Sequence, residues 1–331
     1  FMADAVSRSS DGIGTLLIVP AAGATHAASG IGEASLDGIP MLVITGGVRT
    51  DSKFQYQLHD MDQHAMIASI TKKTYKVTKH EDVISTIYDA YKVANEGEPG
   101  PVFVEIPVNL QLDKGEVSGL PSFESQPEVD TTHLTDQIEQ AAALLAQAKK
   151  PGIFVGWGAV DASAYTTNIS ELLTAPVSTT LQGLSAFDAK HPHHTGMGFG
   201  PAAVPAATNA FKDCDCLLAV GTRFAEIATG SFGVTVPENL IHIDINKKVF
   251  SANYPAKIAL EGDANVILKA LSEALEKLTI IERASGVAET IKADKSAYYQ
   301  EWLDHDSGDR VNPRVFFESL RSQIEDDAYV I

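Results

Sequence analysis

Basic residues are scarce in this chain. Lysine and arginine together number 25 against 43 aspartates and glutamates in 331 residues, a formal net charge of −18 at pH 7. A nucleic-acid binder carries a basic face to neutralise phosphates, so that class is excluded. The acidic excess is spread along the chain and serves solubility rather than fold. Cysteine is scarcer still. The two present, Cys214 and Cys216, sit in an apolar run at a spacing that puts both on one face of a strand. They are expected as core thiols in a reducing compartment rather than as metal or redox groups. No apolar run reaches the ~18 residues of a membrane span, and no signal peptide opens the chain. The expected location is therefore cytoplasmic, with no membrane contact, and the sequon Asn168-Ile169-Ser170 is incidental. Also missing are a Ser/His/Asp or Cys/His nucleophile pattern, a short-period repeat and a low-complexity tract.

What is present is an alternation of strand and helix. Hydrophobic residues make up 44 % of the chain, enough for a sizeable core, and the length suggests two domains or more. Apolar runs at Thr15–Val19, Met41–Thr45 and Val102–Pro107 read as strands, with helices over Thr25–Leu36 and Glu81–Ala94 between them. A polar stretch rich in Pro, Ser, Glu and Asp, Leu112 to Thr132, reads as a linker. Alternation resumes with strands at Gly152–Gly156, Ala175–Thr180, Cys216–Gly221, Leu240–Ile245 and Ile258–Leu260, then a helix to about Lys277. Ile280 to Asp309 reads as a charged helical linker, and Asn312-Pro313 opens a helix over Arg314–Ile324. Continuous apolar strands joined by helices predict an α/β fold with parallel sheets covered on both faces, the second domain Rossmann-like. Phe1 falls inside an apolar pattern without an N-cap, and Ala328 to Ile331 reads as an unfinished strand, so both ends are expected to be truncated.

Four stretches could carry chemistry. The turn Val19-Pro20-Ala21-Ala22-Gly23-Ala24-Thr25-His26 puts small residues at a strand's carboxyl end, where helix amides can meet a ligand. The plainer reading is a tight turn, and the absence of a following Lys rules out a GxxxxGK[ST] loop. Thr45-Gly46-Gly47-Val48-Arg49 follows another strand, and the loop continues through His59, Asp60, Asp62 and His64. These four match no metal spacing, so either a substrate-facing loop or a solvated one fits. His191-Pro192-His193-His194 reads as a loop with incidental histidines. Gly221, Arg223 and Asp244 could hold a diphosphate and a ribose hydroxyl, or form ordinary turns and a cap.

Taken together these stretches resemble the thiamine-diphosphate enzyme family, acetolactate synthase large catalytic subunits in particular. Phe1 to Arg8 is similar to that family's "AxGYAR" helix, Gly23-Ala24-Thr25-His26 to "SGPGATN", and Ile31 to Gly46 to its "A-x-x-D-S-I-P … ITG" run. Ile70-Thr71-Lys72 resembles "ITK", and Gly97 to Pro107 "GRPGPVxxDIP". Ala175–Thr180, His191-Pro192, Gly196-Met197, Val220–Phe224, Thr229-Gly230, His242–Asp244 and Gly262-Asp263 follow in family order.

The resemblance implies a pyrimidine-binding domain over 1–112, a linker at 113–130, a central Rossmann-like domain over 131–278, a linker at 279–310, and the start of a diphosphate-binding domain at 311–331. It implies thiamine diphosphate and Mg²⁺ as cofactors, the metal site lying outside this chain, and FAD in some members. The family's catalytic Glu would fall upstream of Phe1, which makes the chain alone inactive. Gly23 and Ala24 would line the reacting centre, His59 replaces a substrate-facing Gln, and Lys72 matches a Lys near the channel mouth. Thr25, His26, Thr45, Gly46, Gly221, Arg223 and Asp244 would bind cofactor. The implied reaction is decarboxylation of a pyruvate-like 2-keto acid with carboligation to a second carbonyl, in a homodimer or homotetramer. Pro20-Ala21-Ala22 in place of Ser-Gly-Pro, and Phe224–Ile227 in place of "FDDR", depart from the pattern. The second departure falls where FAD is held. An FAD-free decarboxylase or acyltransferase therefore stays open, as does a non-catalytic nucleotide-binding module.

Overall fold

The computed structural model describes residues 1–115, 119, 121–123, 131–283 and 285–328. The chain forms two compact units, Phe1–Glu128 and Val129–Ile331. Among the described residues no helix is long and apolar enough to cross a membrane.

In the first unit the order is α1 (Met2–Ser9), β1 (Gly14–Ile18), α2 (Ala22–Asp37), β2 (Met41–Gly47), α3 (Gln63–Ile67), β3 (Lys73–Lys76), α4 (Val83–Asn95), β4 (Pro101–Pro107) and α5 (Val108–Leu112). The strands form one parallel sheet in the order β1-β2-β4-β3. Ile18 pairs with Thr45, and Thr45 with Glu105, so the three carboxyl ends lie level. Leu42, Val102 and Val104 pack with Ala90 and Ala94 of α4 on one face. Val43 and Phe103 alternate to the other face and are wholly buried. α2 starts at Ala22 rather than Thr25, because the Ala-Gly-Ala run continues the helix backward into the turn. It stops at Gly38, whose left-handed φ of 70° lets its N–H reach the Ala34 carbonyl. β3 leaves no apolar run in the sequence: it is a four-residue edge strand with lysine at both ends, and such edges are kept short and charged.

The second unit runs α6 (Thr135–Gln147), β5 (Pro151–Val155), α7 (Ser163–Leu173), β6 (Val177–Thr179), β7 (His194–Met197), α8 (Pro205–Ala210), β8 (Cys216–Val220), β9 (Asn239–Asp244), β10 (Ile258–Glu261), α9 (Ala264–Leu275), α10 (Val287–Asp304) and α11 (Pro313–Gln323). Its parallel sheet has the order β10-β9-β8-β5-β6-β7. That is a doubly wound topology whose direction of progression reverses between β5 and β8. Aliphatic side chains of α6, α7 and α9 close one face. An aromatic cluster of Phe154, Phe199, Phe211 and Phe224 closes the other.

Three expectations need correction. Cys214 is not in a strand; it lies in the turn before β8, its Sγ 3.3 Å from the Cys216 carbonyl, so the two thiols do not share a strand face. His194 is not a loop residue but opens β7, a strand hidden by its four-residue length and its glycine. The charged stretch after 280 is not only a linker. α10 packs on α8, its Ile291 is buried, and Asn209 Nδ2 donates to Asp294 Oδ2 at 3.0 Å. The strand read at the end of the chain lies, from residue 329 on, outside the described residues, as does most of the linker.

Candidate functional site

The carboxyl ends of β1, β2 and β4 open onto a cleft of about 750 Å³. Its walls include Val19, Pro20, Thr45, Gly46, Arg49 and Leu58. The turn from β1 into α2 runs along it through Ala21, whose φ of 53° and ψ of −88° are strained for a residue with a Cβ. Gly23 is tightly packed: a Cβ there would meet Val19 Cγ2 at 3.0 Å and Ile18 Cβ at 3.3 Å. Gly46 faces Pro20 Cδ at 3.2 Å in the same sense. The loop after β2 is closed by reciprocal bonds, Arg49 N–H to Gln57 Oε1 at 3.2 Å and Gln57 Nε2 to the Arg49 carbonyl at 3.0 Å. Thr50 N–H donates to Asn109 Oδ1 at 3.1 Å and ties the loop to α5. Thr45 Oγ1, fully buried on the cleft wall, has no hydrogen-bond partner among the described residues. A buried hydroxyl without a partner costs free energy that a polar ligand atom would recover.

Behind the cleft sits a polar network centred on Glu105, a carboxylate 4 % exposed at the end of β4. Gln63 Nε2 donates to Glu105 Oε2 at 2.8 Å and to the Gly46 carbonyl at 3.0 Å. Its Oε1 accepts from the Ala21 N–H at 3.2 Å. His64 Nε2 lies 3.0 Å from Glu105 Oε2, at ion-pair distance but without a well-directed hydrogen bond. Lys76 Nζ lies 3.1 Å from Oε1. Burial alone would raise the Glu105 pKa. His64, Gln63 and Lys76 outweigh it and bring the carboxyl down to about 2. One side chain, Gln63, thus joins the strained turn, the end of β2 and a fixed negative charge.

In the second unit Gly156, Gly158, Gly183 and Gly221 crowd together at the reversal between β5 and β8. A Cβ on Gly156 would stand 2.1 Å from the Gly221 carbonyl oxygen, and one on Gly221 2.5 Å from Gly158. The space these glycines leave is filled by one another's backbone. His242 Nε2 is 2.8 Å from the Thr222 carbonyl oxygen and braces the turn after β8. Asp244 is buried at the end of β9 and accepts the Asn246 N–H at 2.9 Å, so it caps that turn. Arg223, three residues past the end of β8, is exposed. Thr179 Oγ1, buried at the end of β6, is a second hydroxyl with no partner among the described residues.

The residues singled out in the sequence are thus distributed unevenly. Thr45 and Gly46 line the cleft, with Gly23 and the buried Ala24 at the adjoining first turn of α2. Thr25 and His26 are exposed on that turn, Thr25 Oγ1 donating to the Ala22 carbonyl at 2.9 Å. His59 is half-buried with a left-handed φ of 66°, next to the cleft residue Leu58. Lys72 lies at the amino end of the sheet, where its N–H reaches the Pro101 carbonyl at 2.8 Å and its ammonium the Glu96 carbonyl. Asp62 caps α3 through the Ala65 N–H at 3.0 Å. Among the described residues no group of three His, Cys, Asp or Glu side chains could hold a metal ion. Glu105 and Lys76 escape the sequence reading. The available signal was a single carboxylate inside an otherwise apolar strand, which burial makes costly unless it is paired.

Comparison with known proteins gives the geometry a context. Residues 1–66 match the family model for the thiamine pyrophosphate enzyme, N-terminal TPP binding domain, and residues 138–271 that for the thiamine pyrophosphate enzyme, central domain. The acetolactate synthase isozyme 2 large subunit of Escherichia coli K12 is 34 % identical over 275 residues, 82 % of this chain and 49 % of that protein. The acetolactate synthase large subunit of Corynebacterium glutamicum is 30 % identical over 96 % of this chain and 51 % of its own length. The mitochondrial acetolactate synthase catalytic subunit of Saccharomyces cerevisiae is 28 % identical over 98 % and 50 %. The chain spans about half the length of the curated relatives it matches.

Proposed function

This chain belongs to the thiamine pyrophosphate enzyme family, and from that premise we propose that it supplies two domains of an enzyme that decarboxylates a pyruvate-like 2-keto acid and joins the fragment to a second carbonyl. Residues 1–112 form the pyrimidine-binding domain, 131–278 the central domain and 311–331 the start of the diphosphate-binding domain. The active assembly is a homodimer or homotetramer. The cofactors are thiamine diphosphate and Mg²⁺, the metal held outside this chain.

The observation that carries the proposal is the cleft at the ends of β1, β2 and β4, with its small-residue turn and the partnerless Thr45 hydroxyl. These residues fit a flat heterocycle with polar edge atoms. Thiamine diphosphate, when bound, supplies the electron sink for loss of carbon dioxide. The protein's part is placement. Gly23 and Ala24 let the backbone approach, Thr45 and Gly46 meet the ring edge, and Thr25 and His26 flank the entrance. His59, next to the cleft residue Leu58, holds the substrate or passes it a proton. Lys72, at the opposite end of the sheet, is assigned to the channel mouth of the assembled oligomer.

In the central domain Gly221, Arg223 and Asp244 are assigned to FAD. A second reading, a decarboxylase or acyltransferase without FAD, is favoured by the glycine space being filled by backbone and by Asp244 already capping a turn. The deciding experiment follows keto-acid consumption by the protein that carries this chain, with and without thiamine diphosphate and Mg²⁺, together with its visible spectrum. Cofactor-dependent acetolactate formation with a flavin band is the expected result. Turnover of another keto acid without flavin selects the second reading. Absence of cofactor dependence with every keto acid, alongside tight adenine-nucleotide binding, would leave a non-catalytic nucleotide-binding module. His59→Ala is expected to lower kcat/KM by about a hundredfold, the low end of the ~10²–10⁴ supplied by a positioned acid or base.

A further inference from the structure

A second cleft, of about 820 Å³, lies in the second unit between the loop Ala189–Pro192 and one face of α10. The loop leads into the first residue of β7, so this cleft is at the amino edge of the sheet. Gly221, Arg223 and Asp244 stand at the carboxyl ends of the same parallel strands. The cleft is therefore separate from the site assigned above and does not depend on that assignment.

Its charge runs against the rest of the protein. In a chain of 43 acidic and 25 basic residues, this cleft is lined by Lys190, Lys292 and Lys295 and by a single carboxylate, Glu289. Elsewhere lysines such as Lys73, Lys76 and Lys150 stand beside carboxylates. The three cleft lysines make no ion pair among the described residues. Lys295 is half-buried, and burial lowers its pKa. Behind it His194 is 7 % exposed with neither ring nitrogen hydrogen-bonded among the described residues. Burial, and after it the Lys295 charge, push the His194 pKa down to about 4. A half-buried ammonium such as Lys295, with no ion-pair partner among the described residues, costs free energy that an anion would return. The remaining walls, Pro192, Ala288 and Ile291, are apolar. Tyr299 is fixed at one end, its ring under the Arg314 guanidinium at 3.6 Å and its hydroxyl on Glu318.

We propose that this cleft binds a phosphorylated ligand of nucleotide size, its phosphates on Lys190, Lys292 and Lys295 and its apolar body on Pro192, Ala288 and Ile291. The volume is within the range of small-molecule sites, about 300–1,000 Å³. Three ammonium groups suit a phosphate chain, since lysine binds phosphate as a compact, rotatable charge.

The test is calorimetric titration of the 331-residue chain with ADP, pyrophosphate and, as a carboxylate anion, succinate. The expected result is saturable binding of ADP and pyrophosphate, with succinate at least tenfold weaker. Lys295→Gln is expected to weaken ADP about tenfold or more, the loss of one charge-assisted contact. Lys190→Gln, on the exposed loop, provides a second variant with no buried group disturbed and should weaken it several-fold. Lys269→Gln, exposed on α9, should leave it unchanged. Absence of saturable phosphate binding overturns the proposal. So does ADP binding that falls with Arg223→Gln but not with the two cleft variants, which would place the nucleotide at the carboxyl ends. Succinate binding as tight as pyrophosphate would overturn the phosphate assignment.

Discussion

Glu105 allows a quantitative test of how the cleft is held. Its carboxyl is moved from an ordinary 4.5 to about 2 by His64, Gln63 and Lys76 acting against burial. A folded-state pKa below the unfolded value means the native state binds fewer protons in this range, so stability rises with pH. The contribution is fully present above about pH 5 and is lost as pH falls through 2. At about 1.36 kcal/mol per pKa unit the whole effect is about 3 kcal/mol, nearly all of it gone by pH 2. The assay is urea unfolding of wild type and Glu105→Gln at a series of pH values from 7 to 2. Glutamine keeps the shape and cannot titrate, so the wild type should lose about 3 kcal/mol more than the variant across the range. At pH 7 Glu105→Gln should itself be destabilised, since Lys76 and His64 are left without their anion. Parallel pH profiles for the two proteins would show that the carboxylate is not held as the structure places it. The reasoning about the Gln63 bridge to Ala21 would then fall as well.

Further perturbations probe the same regions. Ala21→Gly relieves the left-handed φ of 53° and should raise stability by about 1 kcal/mol, the strain released less glycine's extra unfolded-state entropy; a lower melting temperature would refute it. Thr45→Val removes the partnerless hydroxyl and should be neutral or stabilising by up to about 1 kcal/mol in the chain while weakening thiamine diphosphate binding in the protein that carries it. Burial pushes the thiols of Cys214 and Cys216 up to about 12, so neither should be alkylated at pH 8 without denaturant, as mass spectrometry after iodoacetamide would show.

What the sequence made legible follows from which forces leave a local trace. β2, β4, β8 and β9 are buried on both faces, so each is a mostly apolar run visible without the fold, β4 broken by Glu105 and β9 by His242. Pro313 and Asn312 announce α11, the asparagine side chain accepting from the Arg314 N–H at 2.9 Å. β3 and β7 were hidden because edge position lets polar residues in, and their partners decide them from afar. Thr45 and Gly46 were legible as cleft residues because they directly follow a recognisable strand. Gln63 was not. Its importance comes from bonds to residues 42 and 17 positions away, which no spacing rule encodes.

The Glu105 network and the partnerless Thr45 hydroxyl also differ in what they say about function. A carboxylate that is 4 % exposed and surrounded by Gln63, His64 and Lys76 is satisfied; nothing about it calls for a ligand, and its work is to hold a strained turn in place. Thr45 Oγ1 is one strand away, level with Glu105 in the register, and has no partner among the described residues. Buried polar groups are nearly always paired, so the unpaired Thr45 hydroxyl at the cleft is the exception that a binding site would explain. The contrast recurs in the second unit, where Asp244 already caps a turn and Thr179 Oγ1 has no partner among the described residues. In both sheets the unpaired, buried hydroxyl stands at a carboxyl strand end, where α/β folds receive ligands. These two threonines are therefore the positions at which bound cofactor should most change the amide spectrum. Their surrounding carboxylates, fixed by internal bonds, should change it least.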